Sequence, residues 1–262
     1  MIERILLLVG FLASVVGAIC GIGGGVIIKP VLDSIGFASA DTISFLSGLT
    51  VLCMSGYSFI LSFIRREKID MRTGTPLAVG AALGGIAGKT LFNLIKNSSP
   101  DPSFVGGVQA LSLAVATFLT FIYTLNSKRV KTKKIGSPLV CALIGLILGL
   151  ISSFMGIGGG PFNLAVLSYF FSMETKEAGR SSLYIILMSQ IFSLFTTFVT
   201  NSVPDFKITW VIVMGLSGII GGIVGRAVNK KISSSSINKL FIVFMAVIIA
   251  ISIRNALMAF GL

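Results

Sequence analysis

The chain of 262 residues contains no histidine. Imidazole is the side chain that titrates nearest neutrality and the commonest metal ligand. Its absence excludes histidine-based catalytic triads, imidazole proton relays and histidine-ligated metal centres. Carboxylates are scarce as well: there are nine, most of them outside the apolar stretches, so acid–base catalysis is poorly supplied. The three cysteines, Cys20, Cys53 and Cys141, stand in separate apolar stretches without CxxC spacing. They imply neither a disulfide framework nor a metal cluster. The phosphate-binding pattern GxxxxGK[ST] does not occur, which excludes ATP drive within this chain. Neither a metal nor a cofactor is expected. Charged residues make up only 11% of the chain, where soluble domains carry about 25%.

What is present is apolar. Hydrophobic residues make up 54%, and the mean hydropathy is +0.99. Eight apolar segments follow one another, roughly 5–35, 42–64, 74–95, 103–126, 136–172, 182–200, 207–229 and 237–260. Six have about the 20 residues that a helix needs to cross the hydrocarbon core. The first and fifth are longer, and each is interrupted by glycines. An all-α, multi-pass protein of the cell membrane is the class this implies, with no room for a soluble domain. The net charge of +12 fits loops beside an anionic leaflet rather than a nucleic-acid surface, because basic patches interleaved with aromatics are missing. Residues 5–12 could serve as the apolar core of a secretory signal. The stretch leading into the first glycine cluster recurs deep in the chain, however, so it is expected to belong to the fold.

The two halves of the chain repeat. Gly21-Ile22-Gly23-Gly24-Gly25 matches Gly156-Ile157-Gly158-Gly159-Gly160 at an offset of 135. Met54-Ser55 matches Met188-Ser189 at 134, and Gly84-Gly85-Ile86-Ala87-Gly88-Lys89 matches Gly221-Gly222-Ile223-Val224-Gly225-Arg226 at 137. Collinear matches at nearly one offset indicate a duplication, with repeats over 1–127 and 136–262 joined by a basic linker over 128–135. Duplicated halves are the usual construction of secondary transporters, whose site lies where the repeats meet.

Three consecutive glycines cost a helix about 1 kcal/mol each relative to alanine. Each GIGGG cluster is therefore expected to break its helix, and broken backbone at membrane depth survives only within protein or beside a water-filled cavity. Bare backbone N–H groups at the start of the following helix outline an anion site. Single GxxxG pairs, such as Gly84/Gly88, Gly145/Gly149 and Gly221/Gly225, read instead as close helix packing.

These features resemble the sulfite exporter (TauE/SafE) type of membrane permease, whose mark is a duplicated unit with GxGGG near the start of each half. The resemblance covers nearly the whole chain. It implies transport, not catalysis, of small sulfur-containing anions such as sulfite, sulfonates or thiosulfate. The partners are then a small sulfur oxyanion or sulfonate, the lipid bilayer and potentially a coupling ion, but not nucleic acid. A passive anion channel and, more remotely, an intramembrane enzyme are the alternatives. Nothing in the sequence speaks to oligomeric state. Two positions depart from the pattern: Lys29, where an apolar residue is usual, and Pro161 directly after the second cluster.

The substrate-binding residues expected from these patterns are Gly21, Gly23, Gly24, Gly25, Lys29, Gly156, Gly158, Gly159, Gly160, Asn163, Ser181, Ser182 and Gln190. Lys29 either pairs with Asp33 one turn on or lends its charge to the anion. Asn163, Ser181, Ser182 and Gln190 either bond between helices or donate to an oxyanion. Lys89 and Arg226 follow the same GGxxG in both halves and either snorkel to the interface or gate an anion. Charge placement bears on topology. If all eight segments cross once, Lys and Arg divide 12 against 9. If each glycine-broken segment turns back on its own side, the division is 15 against 6, which favours repeats inserted in opposite senses.

Overall fold

A computed structural model describes residues 2–67, 71–98, 102–127 and 129–261. Lys68 and Lys128, both included in the charge division above and the second also in the basic linker, lie outside the described residues. Those described form ten α-helices. In the first half these are α1 (Ile2–Cys20), α2 (Gly25–Ile35), α3 (Ala40–Ile64), α4 (Met71–Ser98) and α5 (Pro102–Asn126). The second half supplies α6 (Pro138–Phe154), α7 (Pro161–Phe171), α8 (Thr175–Val199), α9 (Ile208–Lys231) and α10 (Ser234–Ala259).

Seven of these helices are long and apolar enough to cross a bilayer, and α6 and α7 are shorter apolar helices of 17 and 11 residues. The two long apolar segments of the sequence thus resolve into α1–α2 and α6–α7, each broken at its GIGGG cluster. Gly24 packs against Ala13 and Ser14, and a Cβ on Gly17 would stand within 2.6 Å of Gly23. Leu6 and Ala13 of α1 share one cluster with Ile28 and Leu32 of α2. The first segment therefore doubles back as a hairpin.

Small residues set the packing. Gly80, Gly84 and Gly88 of α4 lie against the backbone of Ala142, Leu146 and Leu150 of α6, and Gly145 and Gly149 of α6 lie against Leu77 and Ala81. In the same way Gly221 and Gly225 of α9 lie against Phe11 and Val15 of α1. A side chain at any of these glycines would overlap backbone, which is how small residues bring helices close where lipid supplies no hydrophobic drive. Residue order in these pairs makes α1 parallel to α9 and α4 parallel to α6. Thr50 and Met54 meet Gly218 and Gly222 in ascending order, whereas Phe45, Val51 and Phe59 meet Phe198, Ile186 and Tyr184 in descending order. Gly149 and Ser153 of α6 meet Ser189 and Ser193 of α8 in ascending order, so α1, α3 and α9 run one way, and α4, α6 and α8 the other. The membrane face where α1 begins is called the N-terminal face below. The opposite face, where the linker pairs with α7 through Lys133 N–H to Tyr169 O at 2.7 Å, is called the linker face.

Candidate functional site: paired glycine breaks between two cavities

The glycine breaks of the two halves meet at the middle of the bundle. A Cβ on Gly25 would overlap the carbonyl oxygen of Ile157, and one on Gly159 would overlap Ile186 and stand 3.4 Å from the Ile22 oxygen. Gly23 and Gly158 both adopt left-handed backbone, with φ of +77° and +70°, a conformation glycine reaches without steric cost. Val51 of α3 and Ile186 of α8, each near the midpoint of its helix, pack over them. The crossing is thus closed by backbone and two branched apolar side chains. Both α2 and α7 begin at this crossing. In their first turns the Ile27 N–H donates to the Gly24 oxygen at 3.0 Å and the Asn163 N–H to the Gly160 oxygen at 3.1 Å, and Pro161 has no N–H.

A cavity lies on each side of it. On the N-terminal face a space of about 20 Å³, enough for roughly one water, is lined by Ser44, Lys89, Gln109, Ser153, Gln190 and Ser193, among others, and reaches Gly156. On the linker face a cavity of about 220 Å³ reaches Gly21 and is lined by Ser58, Glu67, Lys176, Arg180, Arg226 and Lys230, among others. The linings correspond by position in the two halves. An offset of 135 relates Val51 of α3 to Ile186 of α8 at the crossing, one residue out of register with the sequence match of Met54 to Met188. At that offset Ser193 matches Ser58, Phe45 matches Arg180, Gly156 matches Gly21 and Ser153 matches Ala18; Lys89 matches Arg226 at 137.

Their chemistry differs. Lys89 sits 4.7 Å from the centre of the Phe92 ring and enters none of the described ion pairs. The nearby carboxylate of Asp41 is taken by Lys96. Ser153 and Ser193 bond to each other at 2.7 Å, and Gln109 donates to the Phe154 oxygen at 2.7 Å. On the linker face Arg226 is held by the Ser58 carbonyl oxygen, by Ser62 Oγ at 2.7 Å and by Glu67, which also receives Lys230 at 3.4 Å. Glu67 lies just past the end of α3. Burial there raises its carboxyl pKa, but the hydrogen bonds and charges of Arg226 and Lys230 outweigh burial and hold it below the usual carboxylate value.

The residues singled out from sequence divide among these surroundings. Gly21 lines the linker-face cavity, and Gly156 and Gln190 line the N-terminal-face cavity. Gly23, Gly24, Gly25, Gly158, Gly159 and Gly160 belong to the hairpin turns and their crossing. Asn163, Ser181 and Ser182 are buried but line neither cavity. Neither amide atom of Asn163 has a hydrogen-bond partner among the described residues. Lys29 is buried, makes its ion pair with Asp33 at 3.0 Å and lines neither cavity. Sequence reasoning did not single out Ser44, Ser58, Gln109, Ser153, Arg180 or Ser193 as site residues. For Arg180 a signal was available, since it directly precedes Ser181-Ser182 at the polar start of an apolar segment.

The family model described as sulfite exporter TauE/SafE matches residues 6–252. The chain is 24% identical over 257 residues to the probable membrane transporter protein YunE of Bacillus subtilis, covering 89% of this chain and 90% of that one. It is also 24% identical over 241 residues to a probable membrane transporter protein of Methanocaldococcus jannaschii, covering 87% of each. A probable membrane transporter protein of Haemophilus influenzae is 26% identical over 226 residues, 84% of this chain and 80% of that one. No solved structure matches. With the matched region taking in both glycine breaks and the helices around the two cavities, the chain belongs to the sulfite exporter TauE/SafE family of multi-pass membrane transporters.

Proposed function

We propose that this transporter carries small sulfur-containing anions, such as sulfite, thiosulfate or sulfonates, by exposing a site to the two membrane faces in turn. One observation carries the reading: two cavities with corresponding linings reach the same glycine crossing from opposite faces, one of about 20 Å³ and the other of about 220 Å³. In this reading the two halves are inverted repeats. The opposite directions of α1 against α6, α3 against α8 and α4 against α9 support it, as does the gathering of most Lys and Arg on the linker face. Exchange of roles between the halves then shrinks the linker-face cavity and enlarges the other.

Tight glycine contacts suit α1 with α9, and α4 with α6, to move as units, because each pair joins helices from different halves. Packed interfaces of this kind switch between discrete arrangements rather than deform continuously. The glycine backbone at the crossing lets the anion pass between Val51 and Ile186 when the units part. The resemblance to sulfite exporters supports the substrate class. The test is uptake of radiolabelled sulfite, thiosulfate and methanesulfonate by proteoliposomes. Saturable, protein-dependent uptake of at least one is expected. Permeability no greater than that of protein-free vesicles, for all three, overturns the proposal.

A further inference from the structure

Around the linker-face cavity stand three buried donors with nothing to donate to. Arg180 Nε, Arg226 Nε and Ser58 Oγ are each shut off from solvent and have no partner among the described residues, and all three residues line the cavity. An unsatisfied buried donor costs roughly 1–3 kcal/mol, and more when charged, so such a cluster calls for a ligand that brings acceptors. The one carboxylate on the lining is already in use: Glu67 receives Arg226 and Lys230. Asn229, also on the lining, spends its side-chain N–H on the Ile19 carbonyl oxygen. Four cations, Lys176, Arg180, Arg226 and Lys230, face one carboxylate, and Arg180 enters none of the described ion pairs.

The repeat shows that this arrangement is particular to one face. The position matching Arg180 is Phe45, that matching Arg226 is Lys89, and Ser193, matching Ser58, is bonded to Ser153. At its inner end the cavity reaches Gly21, whose backbone lies against Gly179 of α8, one residue before Arg180. A guanidinium there offers a planar fork of N–H groups, which matches two oxygens of a compact anion better than an ammonium does.

We infer that the linker-face cavity is an oxyanion-binding site in which Arg180 supplies the charge, with Arg226 Nε and Ser58 Oγ as further donors. This deepens the carrier reading and rests on it only for the choice of sulfur anions as first probes.

Isothermal titration of the purified full-length protein with sulfite, thiosulfate, methanesulfonate, phosphate and nitrate tests the inference. Arg180→Gln should weaken binding of the tightest of these at least tenfold, equivalent to about 1.4 kcal/mol. Arg180→Lys should weaken it less, and Ser58→Ala by roughly two- to fivefold. Lys239→Gln removes a cation near the same face but outside the cavity and should leave binding unchanged. Should Arg180→Gln fail to fold, Arg180→Lys and Ser58→Ala still carry the test. Wild-type affinity in the Arg180 and Ser58 variants, or no binding of any of the five anions to the wild type, overturns the inference. Arg180-dependent binding of phosphate or nitrate but of no sulfur anion upholds the site and removes the sulfur reading. Sulfur-anion binding indifferent to Arg180 and Ser58 does the reverse.

Discussion

Replacing Gly25 by alanine adds one methyl group at the point where the two halves touch. Gly25 opens α2 with ordinary helical backbone, so alanine meets no conformational strain there, and helix propensity alone would favour it by up to about 1 kcal/mol. Space argues the other way. The new Cβ would overlap the Ile157 carbonyl oxygen and stand 2.8 Å from Ser47 Oγ. A serine hydroxyl can turn away, but a backbone carbonyl cannot, so the start of α2 and the α6–α7 break must part by about 1 Å. Overpacking of this kind costs roughly 1–3 kcal/mol, leaving a net loss of roughly 0–3 kcal/mol. The fold should survive that loss, while a crossing that closes only when the two backbones touch should not. Gly36→Ala is the matched control. Its φ of +65° makes alanine cost roughly 1–2 kcal/mol, but nothing lies within 4 Å of the new methyl group. Both variants should therefore lose a similar amount of thermal stability in detergent, and Gly25→Ala alone should lose uptake in proteoliposomes. Wild-type uptake by Gly25→Ala would refute the reasoning that the paired breaks form the gate.

Other outcomes follow from the same geometry. Cysteines placed singly at Lys131 and Lys176 in a cysteine-free background should be shielded together from an impermeant thiol reagent, and labelling of one without the other would contradict the inverted arrangement. Glu67→Gln should cost stability at neutral pH, because the depressed carboxyl pKa means that the ionised form stabilises the fold. Melting curves against pH should show the difference between wild type and variant constant above the ordinary glutamate pKa of about 4.3, shrinking below it and gone once pH has fallen through the lowered value. Lys29→Gln and Asp33→Asn break the same 3.0 Å ion pair; Asp33→Asn leaves the buried ammonium unpaired and should lower the melting temperature more than Lys29→Gln, while both should leave the apparent KM for sulfite similar. A large rise in KM for Lys29→Gln alone would place that lysine at the anion site.

Much of the architecture was legible because it is written locally. The glycine clusters interrupt the first and fifth apolar segments where α1 gives way to α2 and α6 to α7, and the i,i+4 spacing of Lys29 and Asp33 was enough to bring them together. Apolarity marked the hydrocarbon rather than the helix, so α8 starts at Thr175, one polar turn and more before the apolar run at 182. The cavities were less legible. Arg180 comes beside Gly21 only because α8 of the second half packs on the hairpin of the first, and Arg226 meets Glu67 only because α9 lies parallel to α3. Such pairings join residues some 160 positions apart through helix crossings, for which a single sequence carries no periodic signal.

Counterflow tests the central claim most directly. Proteoliposomes loaded with unlabelled sulfite are diluted into a trace of labelled sulfite, and the label inside is followed over time. A carrier that exposes one site to each face in turn should accumulate label transiently above its equilibrium level, and the same vesicles bearing Gly25→Ala should not. Label that rises only to equilibrium, at a rate indifferent to the internal anion, would contradict alternating exposure at the glycine crossing.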